Sequence, residues 1–268
     1  MSMKLLKFSL IFSFCVILFT SCSSTQKGPS THIGNMPVLK VGVCPDYPPI
    51  IYKKDGKISG IEADLAEYIG KKLDAKIVYI SIMPFKNLIP ALENGKIDII
   101  MSGMSDADFR KDKVRFVEPY MNSGLMAIVR NKDFNKFNSY TNIYKTLKIG
   151  CIDGTTGEVF VEENANKAEC VVFENDKQGL DALKSGKIDI FVDDAPFILK
   201  DSSDDKTLTA LPWLLSNDRL AWAMSKDRGS DYLYYKLNRI VNHARQNGDL
   251  RRILNKYFEI QVKVKPLP

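Results

Sequence analysis

Two short segments of the chain combine hydroxyl, carboxylate and glycine residues directly after predicted strands. They are Met101-Ser102-Gly103-Met104-Ser105 and Asp193-Asp194-Ala195-Pro196. Open α/β sheets bind ligands beyond the carboxyl ends of their strands, because loops and helix starts there present unblocked backbone N–H donors. Successive residues of a strand face opposite sides, so Asp193 is expected to point away from Asp194, and no catalytic dyad is predicted. We therefore expect the two segments to face each other across one ligand-binding cleft.

Side chains suited to histidine or metal chemistry lie away from this cleft. His32 and His243 fall in a predicted N-terminal tether and a predicted terminal helix, so neither a histidine base nor a metal site is indicated. The cysteines lack the paired spacing of a zinc site. Cys151 and Cys170 are expected as buried free thiols, with a disulfide between them as the alternative. We expect no catalytic residue, no metal and no cofactor.

An internal repeat divides the chain into two similar halves. Residues 91–99 (ALENGKIDI) recur as residues 182–190 (ALKSGKIDI), with seven of nine positions identical and a separation of 91 residues. Each copy predicts the end of a helix, a glycine in the left-handed position after it, and a short strand. The separation is too long for a solenoid repeat, so the repeat predicts two α/β lobes of the same construction.

The pattern of apolar residues agrees with two lobes. Alternating or continuous apolar residues predict strands at residues 38–44, 76–82, 147–152, 169–173 and 188–192. A helix is predicted between the first two strands, because Ile61, Leu65, Ile69 and Leu73 recur at helical spacing. Two apolar stripes within residues 233–244 and 250–258 predict terminal helices that pack back on the first lobe.

The N-terminus has the pattern of an export signal. Lys4 and Lys7 precede an apolar run at residues 8–19, which is shorter than the roughly 20 residues that a membrane-spanning helix needs. Leu18-Phe19-Thr20-Ser21-Cys22 resembles a bacterial lipobox, although Phe19 departs from the usual Leu. The resemblance implies that residues 1–21 are a lipoprotein signal peptide, that Cys22 carries palmitate, and that residues 22–36 form a flexible tether. Ordinary cleavage nearby is the alternative.

Composition separates this chain from disordered and nucleic-acid-binding proteins. The chain is 45% apolar and 26% charged, which is typical of globular proteins. Its formal net charge is +6, but basic residues are mixed with acidic ones rather than clustered with aromatic residues. A nucleic-acid partner is therefore not expected.

An ordered series of segments resembles the extracellular solute-binding proteins of family 3, which bind polar amino acids for ABC importers. The segments are Gly60-Ile61-Glu62-Ala63-Asp64-Leu65, Leu88-Ile89-Pro90-Ala91-Leu92, Ser102-Gly103-Met104-Ser105 with Arg110, Phe116-Val117-Glu118-Pro119-Tyr120, Gly154-Thr155-Thr156, and Asp193-Asp194-Ala195-Pro196. Any one of them is weak alone, whereas the series, spread over about residues 37–260, is specific.

The resemblance implies an α/β protein with the periplasmic binding protein-like II fold, in which two lobes, each an α/β sheet sandwich, are joined by two hinge crossovers. Residues 37–121 and 220–262 are expected to form the first lobe, and residues 122–219 the second. The crossovers are expected near residues 120–124 and 217–221.

The resemblance also implies which residues hold the ligand. The residues expected to bind the carboxylate of an amino acid are Arg110, Ser102, Gly103, Met104, Ser105, Thr155 and Thr156. Asp194 is expected to bind the ammonium, while Tyr47 and Phe85 enclose the side chain. Without the resemblance, Arg110 would be an ordinary surface arginine, Gly154-Thr155-Thr156 a plain turn, and the two aromatic residues part of the core.

Three departures from the family pattern bear on the ligand. Cys44 stands where glutamine and basic amino-acid binders often have Asp, Ala107 replaces a frequent Thr, and Ile152 replaces a polar contact. A buried cationic side chain would lack one partner without an acid at position 44, unless Asp46, Asp106 or Asp108 compensates. We therefore expect an uncharged polar amino acid, with a basic one second and a sulfur-containing one open.

The predicted function is that of a monomeric, lipid-anchored substrate-binding protein outside the cytoplasm. It closes two lobes around a free amino acid and delivers this ligand to the membrane permease of an ABC transporter. Two alternatives share the cleft, namely an enzyme similar to cyclohexadienyl dehydratases and a ligand-sensing subunit of a membrane signalling protein.

Overall fold

The strands of the protein form two large sheets and two small ones. The computed structural model describes residues 31–33, 36–137, 139–143, 148–165 and 167–258. In these ranges the strands are β1 (Thr31–Ile33), β2 (Met36–Val43), β3 (Asp46–Tyr47), β4 (Ile51–Lys54), β5 (Lys57–Ser59), β6 (Lys76–Ser81), β7 (Ile99–Ile100), β8 (Val114–Phe116), β9 (Met121–Asn122), β10 (Leu125–Arg130), β11 (Lys148–Ile152), β12 (Glu169–Phe173), β13 (Ile190–Asp194), β14 (Leu208–Ala210), β15 (Arg219–Leu220) and β16 (Ala223–Ser225).

Helices cover the faces of the two large sheets. In chain order they are α1 (Ile61–Leu73), α2 (Leu88–Glu93), α3 (Asp108–Lys111), α4 (Tyr140–Ile143), α5 (Thr156–Asn164), α6 (Asp176–Ser185), α7 (Ala195–Asp204), α8 (Asp231–Gln246) and α9 (Asp249–Leu254). Three further segments are 3-10 helices, at Phe85–Asn87, Asn131–Phe137 and Arg228–Ser230.

The two large sheets have the same construction and each belongs to one lobe. In the first lobe, β2 pairs in parallel with β6 and β7, and β16 lies antiparallel between β7 and β8. In the second lobe, β11 pairs in parallel with β12 and β13, and β10 lies antiparallel between β13 and β14. The prediction of two similarly built α/β lobes is confirmed.

The internal repeat occupies equivalent places in the two lobes, between α2 and β7 and between α6 and β13. Gly95 and Gly186 both take left-handed backbone conformations, with φ of 69° and 79°. The repeated Asp98 accepts a hydrogen bond from the Lys40 N–H at 2.8 Å, and Asp189 accepts one from the Lys148 N–H at 3.1 Å. In each lobe the repeat therefore connects its own turn to the strand that pairs in parallel with two neighbours, β2 in the first lobe and β11 in the second.

Two antiparallel crossovers join the lobes, as the resemblance implied. Strands β9 and β15 pair with each other, with Met121 opposite Leu220. Strand β10 follows β9 into the second lobe, and β16 follows β15 back into the first. A side chain at Gly124 would lie 2.3 Å from the carbonyl oxygen of Ser216, so the backbones of the two crossovers approach too closely for any other residue.

Apolar packing attaches the last two helices to the first lobe, as their apolar stripes predicted. Leu237, Val241 and Ile253 belong to one core with the buried face of α1. Residues 31–33, at the end of the predicted tether, instead form β1, which is antiparallel to β2. The predicted signal peptide and Cys22 lie outside the described residues. None of the described helices combines the length and the apolar character that a membrane crossing requires.

Candidate ligand-binding site

The candidate site is a cavity between the two lobes. About 530 Å³ of space not filled by atoms, part of it open to solvent, lies between its walls. The lining residues come from both lobes and are Cys44, Asp46, Tyr47, Phe85, Ser102, Gly103, Ser105, Arg110, Ile152, Thr155, Thr156, Gly157, Glu174, Asn175, Asp176, Asp193 and Asp194. Every side chain that the sequence placed in the site lines this cavity except Met104.

Arg110 supplies a buried positive charge on the first-lobe side of the cavity. Its side chain, on α3, is 3% exposed, and its Nη1 and Nη2 donate to the carbonyl oxygens of Ser105 and Gly154, both at 2.9 Å. The guanidinium lies 5.5 Å from the ring centre of Phe85 and 4.8 Å from that of Phe109. No described carboxylate forms an ion pair with it, and burial lowers its pKa to about 10. A guanidinium in this state is suited to receive an anionic ligand group.

Asp194 supplies a buried carboxylate on the second-lobe side. Its Oδ2 accepts from the Tyr47 hydroxyl at 3.0 Å, whereas its Oδ1 is buried without a partner. The pKa of Asp194 is raised, first by burial and then by the neighbouring Asp193. Tyr47 reaches this carboxylate from the first lobe, and its ring stacks on Phe197 of α7 at 5.4 Å. A cationic ligand group would satisfy the free oxygen and offset the burial of the charge.

The expectation that Asp193 points away from the cavity is wrong. Asp193 also lines it, and its Oδ1 accepts from the Asp194 N–H at 2.6 Å and lies 3.3 Å from the Tyr47 hydroxyl. Strand alternation fails here because β13 ends at Asp194, where the backbone turns into α7. At such a turn an Asp side chain bonds to the next backbone N–H instead of extending across the sheet.

Asp176 lines the cavity and was missed by the sequence analysis. It opens α6, is 8% exposed, and its Oδ1 is buried without a partner. Burial and the adjacent Asp193 raise its pKa well above the usual range. With Asp46 and Asp193 it forms a group of carboxylates beside Asp194, and we call these three residues the acidic subsite. Asp176 follows β12, so the rule that strand carboxyl ends carry ligand contacts could have found it.

Glu62 holds the loop after β7 through a hydrogen bond from the loop backbone. The Gly103 N–H donates to Glu62 Oε2 at 2.8 Å, so this backbone donor is already occupied and is not free for a ligand carboxylate. Glu62 is fully buried, and burial raises its pKa to about 8 although the Gly103 N–H acts in the opposite direction. Gly103 has φ of 65°, and a side chain there would meet the Tyr47 ring at 2.8 Å. Glycine is therefore required by both backbone and space.

Three other members of the predicted set are engaged by groups of the protein itself. Met104 turns its side chain into the core with Ile100 and Val114, and its carbonyl oxygen accepts from the Ala221 N–H. The Cys44 thiol donates to Asp46 Oδ1 at 3.3 Å, and burial raises its pKa. Ser102 has its Oγ engaged by the Cys44 N–H at 2.8 Å. All three residues are therefore engaged by other groups of the protein.

The Gly154-Thr155-Thr156 turn brings the start of α5 to the cavity. The Thr155 hydroxyl donates to the carbonyl oxygen of Ile152 at 2.7 Å, so its oxygen can still accept a hydrogen bond from another group. Thr156 and Gly157 both line the cavity as the first residues of the helix. The first N–H groups of a helix have no partner within it, so this end of α5 favours a negatively charged group.

Several contacts cross from one lobe to the other around the cavity. Arg110 reaches Gly154, Tyr47 reaches Asp194, and Lys86 forms an ion pair with Asp153 at 2.6 Å. Residues of the first lobe therefore touch the second directly, and the lobes are in a closed arrangement.

Sequence comparison places this fold and site in a known family. The model of the bacterial extracellular solute-binding proteins, family 3, matches residues 39–260. This span is most of the chain, and the chain therefore belongs to that family.

Individual relatives agree with this assignment. The ABC transporter glutamine-binding protein GlnH of Bacillus subtilis is 27% identical over 96% of this chain and 97% of its own length. Among solved structures, an ancestral amino acid-binding protein described as a precursor of cyclohexadienyl dehydratase is 30% identical, with a TM-score of 0.76 over 82% of this chain and 95% of that one. An ancestral arginine-binding protein bound to arginine has the same TM-score at 28% identity, over 82% of this chain and 98% of that one.

Proposed function

We propose that the protein binds a free amino acid between its lobes and passes it to the permease of an ABC importer. The observation that carries this proposal is the pair of unmatched charges on opposite walls of one cavity. Arg110 has no carboxylate partner among the described residues, and Asp194 has a buried oxygen with no hydrogen bond. The carboxylate and ammonium of a zwitterion have the charges that these two groups lack.

Binding and closure are coupled because the two charges belong to different lobes. A ligand held by Arg110 alone gains half of the contacts, and the closed arrangement adds those of Asp194. Moving a population from 1:99 closed to 99:1 requires about 5.5 kcal/mol of differential affinity. Hydrogen bonds to charged groups contribute roughly 1.5–3 kcal/mol each, so a few of them in a desolvated cavity are sufficient.

The acidic subsite favours a ligand with a cationic side chain. Asp46, Asp176 and Asp193 line the cavity beside Asp194, whereas Arg110 is the one basic side chain of the lining. A zwitterion engages Arg110 and Asp194 and leaves the remaining carboxylates without a counter-charge. The sequence-based expectation of an uncharged polar ligand rested on Cys44, whereas the second-lobe carboxylates support a basic amino acid.

Calorimetry with matched ligands tests both levels of the proposal. Arginine is compared with citrulline, which has nearly the same shape but a neutral end group, and with lysine, glutamine and cystine. We expect arginine to bind at least about tenfold more tightly than citrulline. Equal affinities would reject the acidic subsite alone, whereas absence of binding by every amino acid would reject the zwitterion site.

A variant of the acidic subsite separates charge from shape. Asp176→Asn keeps the size of the side chain and is expected to remove most of the preference for arginine over citrulline. Asp181→Asn is the matched control, because Asp181 lies on the same helix but is exposed and pairs with Lys177 at 2.6 Å. A preference that survives Asp176→Asn would exclude this residue from ligand discrimination.

An enzymatic role is the second candidate, and one comparison favours it. The ancestral protein described as a precursor of cyclohexadienyl dehydratase has the same fold at 30% identity. Burial raises the pKa of Asp194, and a protonated carboxyl group can act as a general acid. We expect saturable binding without product when prephenate or arogenate is incubated with the purified protein. Turnover that disappears in Asp194→Asn would establish the enzyme.

The protein acts outside the cytoplasm as a monomer tethered by lipid at Cys22 in this proposal. The lipobox-like segment before Cys22 supports the tether. Labelled palmitate is expected to enter the wild-type chain but not Cys22→Ser during expression in bacteria. Equal labelling of both, or of neither, would reject lipidation, and size-exclusion chromatography with light scattering checks the monomer.

A further inference from the structure

Two cysteines of the second lobe lie side by side on neighbouring strands. Cys151 is in β11 and Cys170 is in β12, and their Sγ atoms are 3.0 Å apart. The strands are parallel with Ile149 opposite Cys170, so Cys151, two residues further along β11, is on the same face of the sheet. Both side chains face the second-lobe core that α5 covers.

The third described cysteine is separated from this pair. Cys44 lies in the first lobe, after β2, and its thiol is engaged by Asp46. Among the cysteines that the structure describes, Cys151 and Cys170 are therefore each other's neighbours. Their Sγ atoms, 3.0 Å apart, need to approach by only about 1 Å to reach the length of a disulfide bond.

We propose that Cys151 and Cys170 form a disulfide in the exported protein. Extracytoplasmic compartments maintain disulfides, and the family to which the chain belongs acts there. The oxidant is a protein disulfide of the thiol–disulfide oxidoreductase class. The Cys170 thiolate attacks that disulfide and expels one thiolate of the oxidant, and the Cys151 thiolate then attacks Cys170 Sγ and expels the other. Two protons and two electrons leave the pair, and the oxidant becomes a dithiol.

The bond forms while the second lobe is folding. Burial raises the pKa of both thiols in the folded protein, and only the thiolate form reacts. Cys151 is fully buried, whereas Cys170, on the outer strand of the sheet, retains partial exposure. Cys170 is therefore the point of entry for the oxidant, and the folded reduced protein is expected to oxidise slowly.

The disulfide would stiffen the second-lobe wall of the ligand cavity. Strand β11 ends at Ile152 and is followed by the Gly154-Thr155-Thr156 turn. Strand β12 ends at Phe173, shortly before Asp176. A bond between these strands fixes the distance between the turn at the start of α5 and the acidic subsite. If this wall is rigid before binding, less conformational entropy is lost when the ligand binds.

Mass spectrometry of protein isolated from the extracytoplasmic fraction tests the bond. Free thiols are alkylated before reduction, and we expect a linked peptide pair containing Cys151 and Cys170 that separates on reduction. Cys44→Ser should retain this pair, and Cys170→Ser should make Cys151 available for alkylation after denaturation. Complete alkylation of both cysteines in the wild type without reductant, or a link to Cys44, would overturn the proposal.

Thermal unfolding provides a second readout on an unchanged sequence. The disulfide closes a loop of about 20 residues, so reduction of the wild type should lower the Tm by roughly 5 °C or more. Cys151→Ala combined with Cys170→Ala is the control and should not respond to reductant. A wild-type Tm that is the same with and without reductant would contradict the bond even if the peptide pair were found after sample handling.

Discussion

Arg110 carries a buried charge that no described carboxylate balances with an ion pair. Its guanidinium is 3% exposed, and it bonds to two carbonyl oxygens without a carboxylate partner. A buried charge that lacks a full partner contributes little to folding. We therefore expect Arg110→Met to lower ligand affinity at least about 100-fold, with the Tm of the ligand-free protein unchanged or raised. Calorimetry and thermal unfolding measure the two effects.

Arg115 gives the opposite signature and serves as the control. It lies in the same lobe, pairs with Asp231 at 2.5 Å and stacks on Tyr234 at 4.4 Å, away from the cavity. Arg115→Met should lower the Tm and leave ligand affinity unchanged. If Arg110→Met lost stability as Arg115→Met does and still bound ligand, Arg110 would be a structural residue.

Glu62 makes the stability of the protein depend on pH. Burial raises its pKa to about 8 from an ordinary value of 4.5, so between these pH values the folded state holds a proton that the unfolded state has lost. Its contribution to stability is therefore present at low pH and disappears as the pH rises through about 8. Glu62→Gln should equal the wild type near pH 4 and exceed it by roughly 5 kcal/mol near pH 9.

Denaturant unfolding across this pH range measures the difference. Gln keeps an oxygen that can accept from the Gly103 N–H, so the comparison changes charge with little change of shape. Glu93→Gln, an exposed position at the end of α2, should follow the wild-type profile. Parallel curves for Glu62→Gln and the wild type would show that Glu62 does not titrate in this range.

The sequence predicted which charged residues line the site better than it predicted where their side chains point. Arg110 and Asp194 line the cavity as the resemblance implied, because a strand end fixes where the following residues lie. The orientation of Asp193 depends on a side-chain bond to the Asp194 N–H, which sequence alternation does not express. Asp176 also follows a predicted strand, but that rule was applied only to the strand ends that carry the repeat.

At the scale of the elements, the turn before α5 is where the second lobe approaches the first. Gly154 has φ of 77°, and a side chain there would lie 2.9 Å from Lys86 Cβ, which belongs to the opposite lobe. We expect Gly154→Ala to weaken ligand affinity by roughly tenfold, because the added methyl group opposes closure. Isothermal titration with the best ligand of the amino-acid panel measures this loss.

Gly56 offers a control with the same backbone strain. It also has φ of 77°, in the turn between β4 and β5, but nothing lies within 4 Å of a side chain placed there. Both alanine variants should lose a similar amount of stability, about 1 kcal/mol from the left-handed backbone. An equal loss of affinity in the two variants would show that the effect is general and not caused by contact between the lobes.

Element types were predictable because apolar periodicity is local, whereas element bounds depend on partners. The third strand predicted for the second lobe was expected at residues 188–192 and is found at Ile190–Asp194. Asp189 is withdrawn from the strand by its bond to the Lys148 N–H, which requires the sheet to exist first. The small sheet of β3, β4 and β5 was not predicted, since its strands of two to four residues carry too little pattern.

At the scale of the whole molecule, closure brings together groups that no single lobe contains. The sequence predicted two lobes whose strand-end segments face each other, but not which side chains touch around the cavity. Lys86 and Asp153 illustrate this, because they meet at the rim of the cavity only when the lobes are closed. Both side chains are partly exposed, so solvent screens the attraction and the contact is weak.

A rim contact of this kind should act on ligand release. Breaking it with Lys86→Met or Asp153→Asn destabilises the closed arrangement only, so we expect the ligand off-rate to rise about two- to fivefold while the free protein unfolds as before. The double variant should release ligand no faster than the faster single variant. Stopped-flow fluorescence measures these rates, and the difference should shrink at high salt.

Lys256 and Asp64 form an ion pair of similar exposure at 2.8 Å within the first lobe, so Lys256→Met should leave the off-rate unchanged. Off-rates that shift equally in the two pairs would assign the effect to net charge, and additive changes in the double variant would show that Lys86 and Asp153 act separately.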